Sequence, residues 1–388
     1  MKIGIITFWT SKDNYGQILQ CWALQQYLKK MGHNPYLIRY DYTPVPVILW
    51  YKRVLKILLV YPVIKKLLKL SRRKEEKTKL LELSKKNEQR KFDDFKSENL
   101  NVSSHVYYNL KQLRDNPPDA DCYMTGSDQT WAQMVDIKDN WAYFLAFGRE
   151  DIPRIAYAPS FARDIYPKKL IPQLGELLSK YKAISVREKS GVGICKQAGY
   201  KAEHVLDPTF LLSKEDYINL LGLKHNPSHK IFLYSMNVEK PNEIQWDKLK
   251  SFSNAHNKEI VCTVGSGLCP GFEIYGDSIQ YKYPTIKEWI EEIWNPDLVV
   301  TTSFHGIVFS IIMGTPFVYV PLKGIRGKGN SRIIEILQDM GMEERMLCLE
   351  GYGKTMMISI DWKRAKQKLS LLVENSKNFL INETALVH

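Results

Sequence analysis

The chain has 388 residues, 44% hydrophobic and 25% charged, the balance of a folded globular protein rather than a disordered or membrane-embedded one. That length exceeds one ordinary core and points to two domains of roughly 150–200 residues each. The formal net charge of +13 is uneven: Lys52 to Lys96 carries 16 Lys and Arg against 6 Asp and Glu, so the excess of 10 lies in one segment.

The opening MKIGIITFW has no basic region, sustained apolar stretch or small-residue cleavage site, and reads as a buried first strand rather than a secretory signal. A polar loop, SKDNYGQ, leads into ILQCWALQQYLKKMG. There Ile18, Leu19, Trp22, Ala23, Leu24, Tyr27 and Leu28 keep a helical period that closes on Gly32. PYLIRY resumes as a strand. This βαβ opening predicts a parallel, doubly wound sheet with its binding loops at the C-terminal strand ends.

Residues of about 45–96 interrupt the rhythm with two basic amphipathic stretches, VILWYKRVLKILLVY and VIKKLLKLSRRK, separated by Pro62. Neither holds 18 residues free of charge, so neither is expected to span a bilayer. Two readings stay open. One is an interfacial helix resting on anionic lipid; the other is a helix packed on the domain with a solvated basic side. No motif beside the charge points to nucleic acid, and no nucleic-acid partner is expected.

From residue 118 the α/β pattern returns. PDADCYMTGSDQTW is a strand ending in a Gly-Ser-Asp loop, RIAYAPSFA another strand and loop, and LIPQLGELLSKYKAISVREKSGVGICKQAG reads helix, strand, loop, helix. HVLDPTFLL is read as a strand with a turn at Pro208. KIFLYSMN then starts a second series: a helix near 241–256, the strand KEIVCTVG, and helix, strand, helix, strand through TIKEWIEEIWNPDLVVTTSFHGIVFSIIMGTPFVYVP. SRIIEILQDMGM is a further helix, and a helical tail begins at about 360. The domains are expected at 1–210 and 211–350, facing a cleft, with a tail at 351–388. Cys21, Cys122, Cys195, Cys262, Cys269 and Cys348 form no CxxC, which argues against zinc, leaves no metal expected, and suits reduced thiols in the cytoplasm.

His305 stands out. It follows a β-branched strand and precedes Gly306, which permits close backbone approach, at the start of a helix. In an open α/β sheet ligands bind at that point, and the free N–H groups of a helix start favour an anion. Thr301, Thr302 and Ser303 add hydroxyls, and an imidazole beside an anion favours its protonated form. On composition alone, a histidine among apolar residues is more often a hydrogen-bonded structural ring.

SFHG, followed by a serine and a G-x-P-F step, resembles the polysaccharide pyruvyl transferase family. NYGQILQCWALQ at 14–25, TGSDQTW at 125–131, AYAPSF at 156–161, ISVREKSG at 184–191, VLDPTFLL at 205–212 and NSRIIEIL at 330–337 follow the family in order. The resemblance leaves out the basic insert and the tail. It implies two Rossmann-like domains facing a cleft, as in GT-B glycosyltransferases. It also implies transfer of pyruvate from phosphoenolpyruvate, a co-substrate, onto two hydroxyls of a sugar, with no further cofactor. The acceptor would be a cell-surface polysaccharide precursor, on the polyprenyl-diphosphate-linked pattern of some relatives. Peripheral contact with the inner face of the membrane through the basic insert would suit it.

The resemblance also assigns roles. His305 matches the motif histidine and is expected to donate a proton, with Ser303 and Gly306 at the anion site. Arg187 matches the family arginine and suits a carboxylate or phosphate, although a surface ion pair with Glu188 is the plain alternative. PLKGIRGKGNSR offers Lys323, Arg326, Lys328 and Arg332; Asn330 and Arg332 fit the family pattern better than the lysines, with an ordinary N-cap and a solvated helix residue as the plain alternative. Asp128, in its Gly-Ser loop, is a candidate to accept a hydroxyl proton or to hydrogen-bond the sugar, or is merely a turn residue. From their place in the loop after the first strand, Asn14, Tyr15 and Gln17 are expected to line the cleft; Trp131 is read either as stacking on a sugar or, like most of the nine tryptophans, as core. A GT-B glycosyltransferase using a nucleotide-sugar, and a non-catalytic assembly partner, are the competing readings.

Overall fold

A computed structural model describes residues 1–42 and 63–385. Among the described residues the strands form two wholly parallel sheets. The first takes β1 (Lys2–Ile6), β2 (Asn34–Tyr40), β3 (Val102–Tyr107), β4 (Cys122–Thr125), β5 (Arg154–Ala156), β6 (Ala183–Val186) and β7 (Glu203–His204) in the order β3-β2-β1-β4-β5-β6-β7. The second takes β8 (Ser228–Met236), β9 (Glu259–Gly265), β10 (Gln280–Tyr281), β11 (Pro296–Thr301) and β12 (Phe317–Tyr319) in the order β10-β9-β8-β11-β12. Each is a Rossmann-like sheet whose order reverses beside its own first strand, between β1 and β4 and between β8 and β11. Those are the crevices where open α/β sheets take ligands.

The basic insert has an architectural reason. β2 and β3 are parallel neighbours, so the chain between them must cross over. The crossover ends in the helices Val63–Glu88 and Phe92–Asn99, joined through Lys91 in the left-handed region. The first basic stretch, VILWYKRVLKILLVY, lies outside the described residues. The insert also reaches the second sheet. Arg90 is fully buried, donating to Tyr15 Oη and to the Val264 carbonyl at 2.5 Å each, and Lys86 pairs with Glu273 at 2.6 Å.

Three strands differ from expectation, one of them the two-residue β10, too short to carry a pattern. HVLDPTFLL is strand only at its first residue, where β7 (Glu203–His204) ends: Leu206 N donates to Ser376 Oγ rather than to a ladder, and Pro208 then opens a 3₁₀ turn. β3, VSSHVY, has no apolar alternation, since it is an edge strand in which only Tyr107 is fully buried.

The helix Tyr15–Lys30 is buried on nearly every face, which requires apolar contact all round. It lies on the first sheet and packs against the helices Ile286–Trp294 and Phe304–Met313 of the second. The Tyr15 ring stacks on Trp289 with centroids 4.9 Å apart. One continuous core therefore joins the two halves. The tail helix Trp362–Ala385 returns across them: Ser376 Oγ accepts from Leu206 N at 2.9 Å, and Phe379 and Leu380 enter the shared core. Among the described residues, no helix is long and apolar enough to cross a membrane.

Candidate functional site

His305 lies one turn past the end of β11, where the chain must leave the strand and start a helix without wasting polar groups. Thr301 Oγ1 accepts from Ser303 N at 3.0 Å and donates to the Tyr234 carbonyl at 2.9 Å. Thr302 Oγ1 accepts from Met236 N at 2.9 Å and donates to the Met236 carbonyl at 2.7 Å. The two threonine hydroxyls thus tie β11 to β8 and are occupied. Ser303 caps the helix in extended conformation, with no side-chain capping bond. Gly306 has a steric reason: a Cβ there would sit 2.3 Å from Thr301 Oγ1.

The His305 ring is buried between the two halves. On one side it rests on the backbone of Gly16, where a Cβ would lie 2.0 Å from His305 Nδ1. The neighbours of Gly16 hold that helix start in place. Asn14 Oδ1 accepts from Gln17 N at 3.2 Å, Gln17 Oε1 accepts from Ser11 N at 2.9 Å, and Tyr15 Oη donates to the Pro284 carbonyl at 2.7 Å. Asn14, Tyr15 and Gln17, expected to line the cleft, are thus engaged in building the support under the ring.

On its other side, His305 Nε2 faces Asp207 Oδ2 at 3.6 Å. The same oxygen accepts from Arg187 Nη1 at 2.8 Å, while Asp207 Oδ1 accepts from Thr209 N at 3.1 Å and Thr209 Oγ1 at 2.8 Å. Burial works against ionisation of Asp207, yet His305 and Arg187 outweigh it and hold the carboxyl well below its usual range. Arg187 Nε lies 3.7 Å from Glu188 Oε1, and its Nη2 3.9 Å from Asp128 Oδ1. The surface ion pair considered for Arg187 is instead a buried cluster.

Arg332 joins it from the helix Asn330–Met340. The guanidinium carbons of Arg187 and Arg332 lie 4.9 and 5.5 Å from the centre of the Phe304 ring. With its amide oxygen turned toward Arg332, Gln129 accepts from Nη2 at 2.8 Å and also from Nη1. Burial and then repulsion from Arg187 push the Arg332 guanidinium down to about 10. Burial pushes the Glu188 carboxyl up, although Arg187 and a hydrogen bond from Ser160 pull the other way.

Two features mark this cluster as more than a structural network. Arg187 Nε and Nη2, Arg332 Nε and His305 Nε2 are buried with no hydrogen-bond partner, whereas such groups are nearly always satisfied. The loops that carry it also hold uncommon backbone: Asp128 has φ 65° and Ala158 φ 52°. A Cβ on Gly126, at φ 108°, would lie 2.1 Å from the Tyr157 carbonyl oxygen.

The rest of the expected set lies elsewhere. Lys323 is exposed beside a groove with Gln245, Lys248 and Arg326, and Arg326 is held by Glu243 at 2.9 Å. Asn330 accepts from Tyr319 Oη and donates to the Leu322 carbonyl, both at 2.8 Å, so it fastens the loop. The side chain of Lys328 lies outside the described residues. Trp131, expected to stack on a sugar, is core: its Nε1 donates to the Tyr143 carbonyl at 3.1 Å and its ring stacks on Phe144. Among the described residues no group of His, Cys, Asp and Glu is arranged to hold a metal. Sequence reasoning missed Gly16, Gln129, Glu188, Asp207 and Phe304 as site residues, although all five lie in or beside strings it had singled out.

Among solved structures, the chain is similar to UDP-N-acetylglucosamine 2-epimerase from Rickettsia bellii, at 11% identity and TM-score 0.48, over 100% of this chain and 98% of that one. It is also similar to UDP-GlcNAc 2-epimerase from Neisseria meningitidis, at 9% identity and TM-score 0.42, over 98% and 93%. A third is UGT89C1 from Arabidopsis thaliana, at 10% identity and TM-score 0.43, over 98% and 94%. With identities of 9–11% and TM-scores of 0.42–0.48, these likenesses carry no argument about this chain. Comparison with curated proteins gave no match. The family model for polysaccharide pyruvyl transferase matches residues 14–323, a span holding Gly16, Asp128, Arg187, Asp207 and His305. With most of its length matched, the chain belongs to the polysaccharide pyruvyl transferase family.

Proposed function

We propose that the protein transfers pyruvate from phosphoenolpyruvate onto two hydroxyls of one sugar, as a cyclic ketal, with release of phosphate. The observation that carries this reading is the pair of guanidiniums over Phe304, Arg187 buried and Arg332 half-buried, whose unpartnered N–H groups sit beside the N-terminus of the His305 helix. Forked donors of this kind suit a ligand bearing both carboxylate and phosphate.

In the proposed reaction, His305 Nε2 gives a proton to C3 of the enol phosphate as a sugar hydroxyl oxygen bonds to C2. The second hydroxyl then bonds to C2 as the C2–O bond to phosphate breaks. Two hydroxyl protons are released: one balances the proton gained by C3, and the other leaves with phosphate. A positioned acid is typically worth about 10²–10⁴-fold in rate. Asp128, 3.9 Å from Arg187, is the candidate to receive a hydroxyl proton.

The charge balance adds a condition. Arg187 and Arg332 face Asp128, Glu188 and Asp207, two cations against three carboxylates. A dianion entering this cluster is better accommodated with Glu188, whose carboxyl burial already pushes up, in its protonated form, so binding should take up protons. A lipid-linked acceptor suits the basic insert, whose excess charge would draw the enzyme to an anionic membrane face.

The test is incubation with phosphoenolpyruvate and a panel of lipid-linked and free saccharides, recording phosphate release and product mass. A product heavier by one pyruvate less one water supports the reading. Phosphate release with no acceptor-dependent product, or binding of a nucleotide-sugar but not phosphoenolpyruvate, would sink it.

A further inference from the structure

We infer that Asp207 is the positioning residue of the site, with one carboxylate oxygen joining the anion-binding arginine of the first sheet to the histidine of the second. This rests on the pyruvyl-transfer reading for its rate consequences, but its geometry stands by itself. Asp207 Oδ2 accepts from Arg187 Nη1 at 2.8 Å and lies 3.6 Å from His305 Nε2. Ser127 Oγ approaches the same oxygen at 3.3 Å.

The carboxylate itself cannot wander. Its side chain is fully buried, and its second oxygen is gripped by Thr209 N and Oγ1 on the 3₁₀ turn Pro208–Leu211. Pro208 is the first residue of that turn, where its missing N–H costs nothing. The neighbours of Asp207 are donors or potential donors, which favours a carboxylate over an amide at this position.

Two consequences follow for its partners. Tying Arg187 by Nη1 alone leaves the Nε and Nη2 edge of that guanidinium without a hydrogen bond, so the edge remains for ligand. With His305 Nδ1 packed on Gly16, Nε2 is the ring atom that faces the cluster and the Asp207 carboxylate at 3.6 Å. The distance is too long for a full hydrogen bond, so the Nε2 proton is not locked away from a substrate. Asp207 therefore aims both groups while touching neither reacting carbon.

The experiment has one arm without substrate and one with it. In the first, nitrogen-15 histidine spectra of the wild-type protein are recorded, with His305 identified by the signals missing in His305→Gln. The expected result is a ring protonated at Nε2, with that signal displaced in Asp207→Asn. A neutral ring protonated only at Nδ1 overturns the proposal, and so does an unchanged signal in a folded Asp207→Asn. In the second arm, kcat and KM for phosphoenolpyruvate are measured for Asp207→Asn and Asp207→Glu beside their melting temperatures.

Asp207→Asn is expected to lower kcat about 100-fold through His305 and to raise KM by a smaller factor as Arg187 loses its 2.8 Å anchor. Asp207→Glu, which restores the charge, should recover part of the rate. Losses that track melting temperature, with no recovery in Asp207→Glu, would assign the residue a purely structural role. If Asp207→Asn does not fold, the wild-type tautomer decides. If the wild-type protein never consumes phosphoenolpyruvate, the functional reading fails while the spectra still judge Asp207.

Discussion

The imidazole of His305 and the backbone of Gly16 touch so closely that a single added methyl group would lie 2.0 Å from Nδ1. The contact joins the first helix of one half to the motif helix of the other. Gly16→Ala must therefore move the ring or part the halves. The expected cost is about 1–3 kcal/mol of stability from overpacking. Misplacing the ring by about 1 Å is expected to lower turnover about 10²-fold. Urea unfolding and steady-state kinetics check both, and wild-type turnover in Gly16→Ala would remove His305 from the chemistry.

Arg187 and Arg332 should respond in opposite ways to loss of charge. Arg187→Met leaves Asp207 buried without its 2.8 Å partner, and is expected to destabilise by about 3–5 kcal/mol. Arg332 carries its charge against burial and against Arg187. Arg332→Met is therefore expected to change stability little, or raise it, while weakening phosphate binding about 10-fold or more. Thermal melts with and without inorganic phosphate separate the two, and equal destabilisation by both variants would contradict the charge arrangement.

The two buried carboxyls predict stability trends of opposite sign with pH. The folded protein holds the Asp207 carboxyl below its ordinary range, so its ionisation adds stability that is present above that range and lost as pH falls through the folded value. Burial holds Glu188 above its ordinary range. The folded state then binds more protons than the unfolded one, and stability falls as pH rises from the ordinary glutamate range through the raised one. Glu188→Gln is expected to flatten that fall, which urea unfolding across the acidic and neutral range will show. A steeper fall in the variant would reverse the assignment.

Proton uptake on ligand binding is a separate consequence of the same cluster. Calorimetry with phosphoenolpyruvate in buffers of different ionisation enthalpy should give heats that differ, with net protons taken up, and affinity should rise as pH falls. In Glu188→Gln the uptake should shrink. Release of protons on binding would contradict the charge balance.

Arg90 tests the insert's architectural role. It bonds to Tyr15 Oη, to the Val264 carbonyl and to Asn87 Oδ1, and stacks on Tyr283. Arg90→Ala is expected to cost about 2–3 kcal/mol through hydrogen bonds made by a charged group. A midpoint in urea equal to that of the wild type would show that the insert does not brace the second sheet.

Much of the fold was legible along the chain because helices and buried strands announce themselves locally. Apolar residues recur with the period of the element that buries them, as in Ile18, Leu19 and Trp22 or in LVVTTS. β3 left no such trace, since an edge strand needs no apolar alternation. The basic insert was visible as charge, but its purpose was not. Only the parallel pairing of β2 with β3 makes a crossover obligatory.

The site divides in the same way. His305, Gly306, Arg187 and Arg332 could be read from short strings whose position at strand ends has a local physical meaning. Lys323 and Asn330 came from the same kind of string, yet one lies on an open groove and the other fastens its loop. Tertiary structure alone decided which side chains meet. Gly16, Asp128, Arg187, Asp207, His305 and Arg332 are brought together over more than 300 positions of chain, because two sheets with the same reversal of strand order turn their C-terminal ends toward one another. Local sequence encodes the period and the turn; which charges neutralise one another depends on distances that only the packed chain sets.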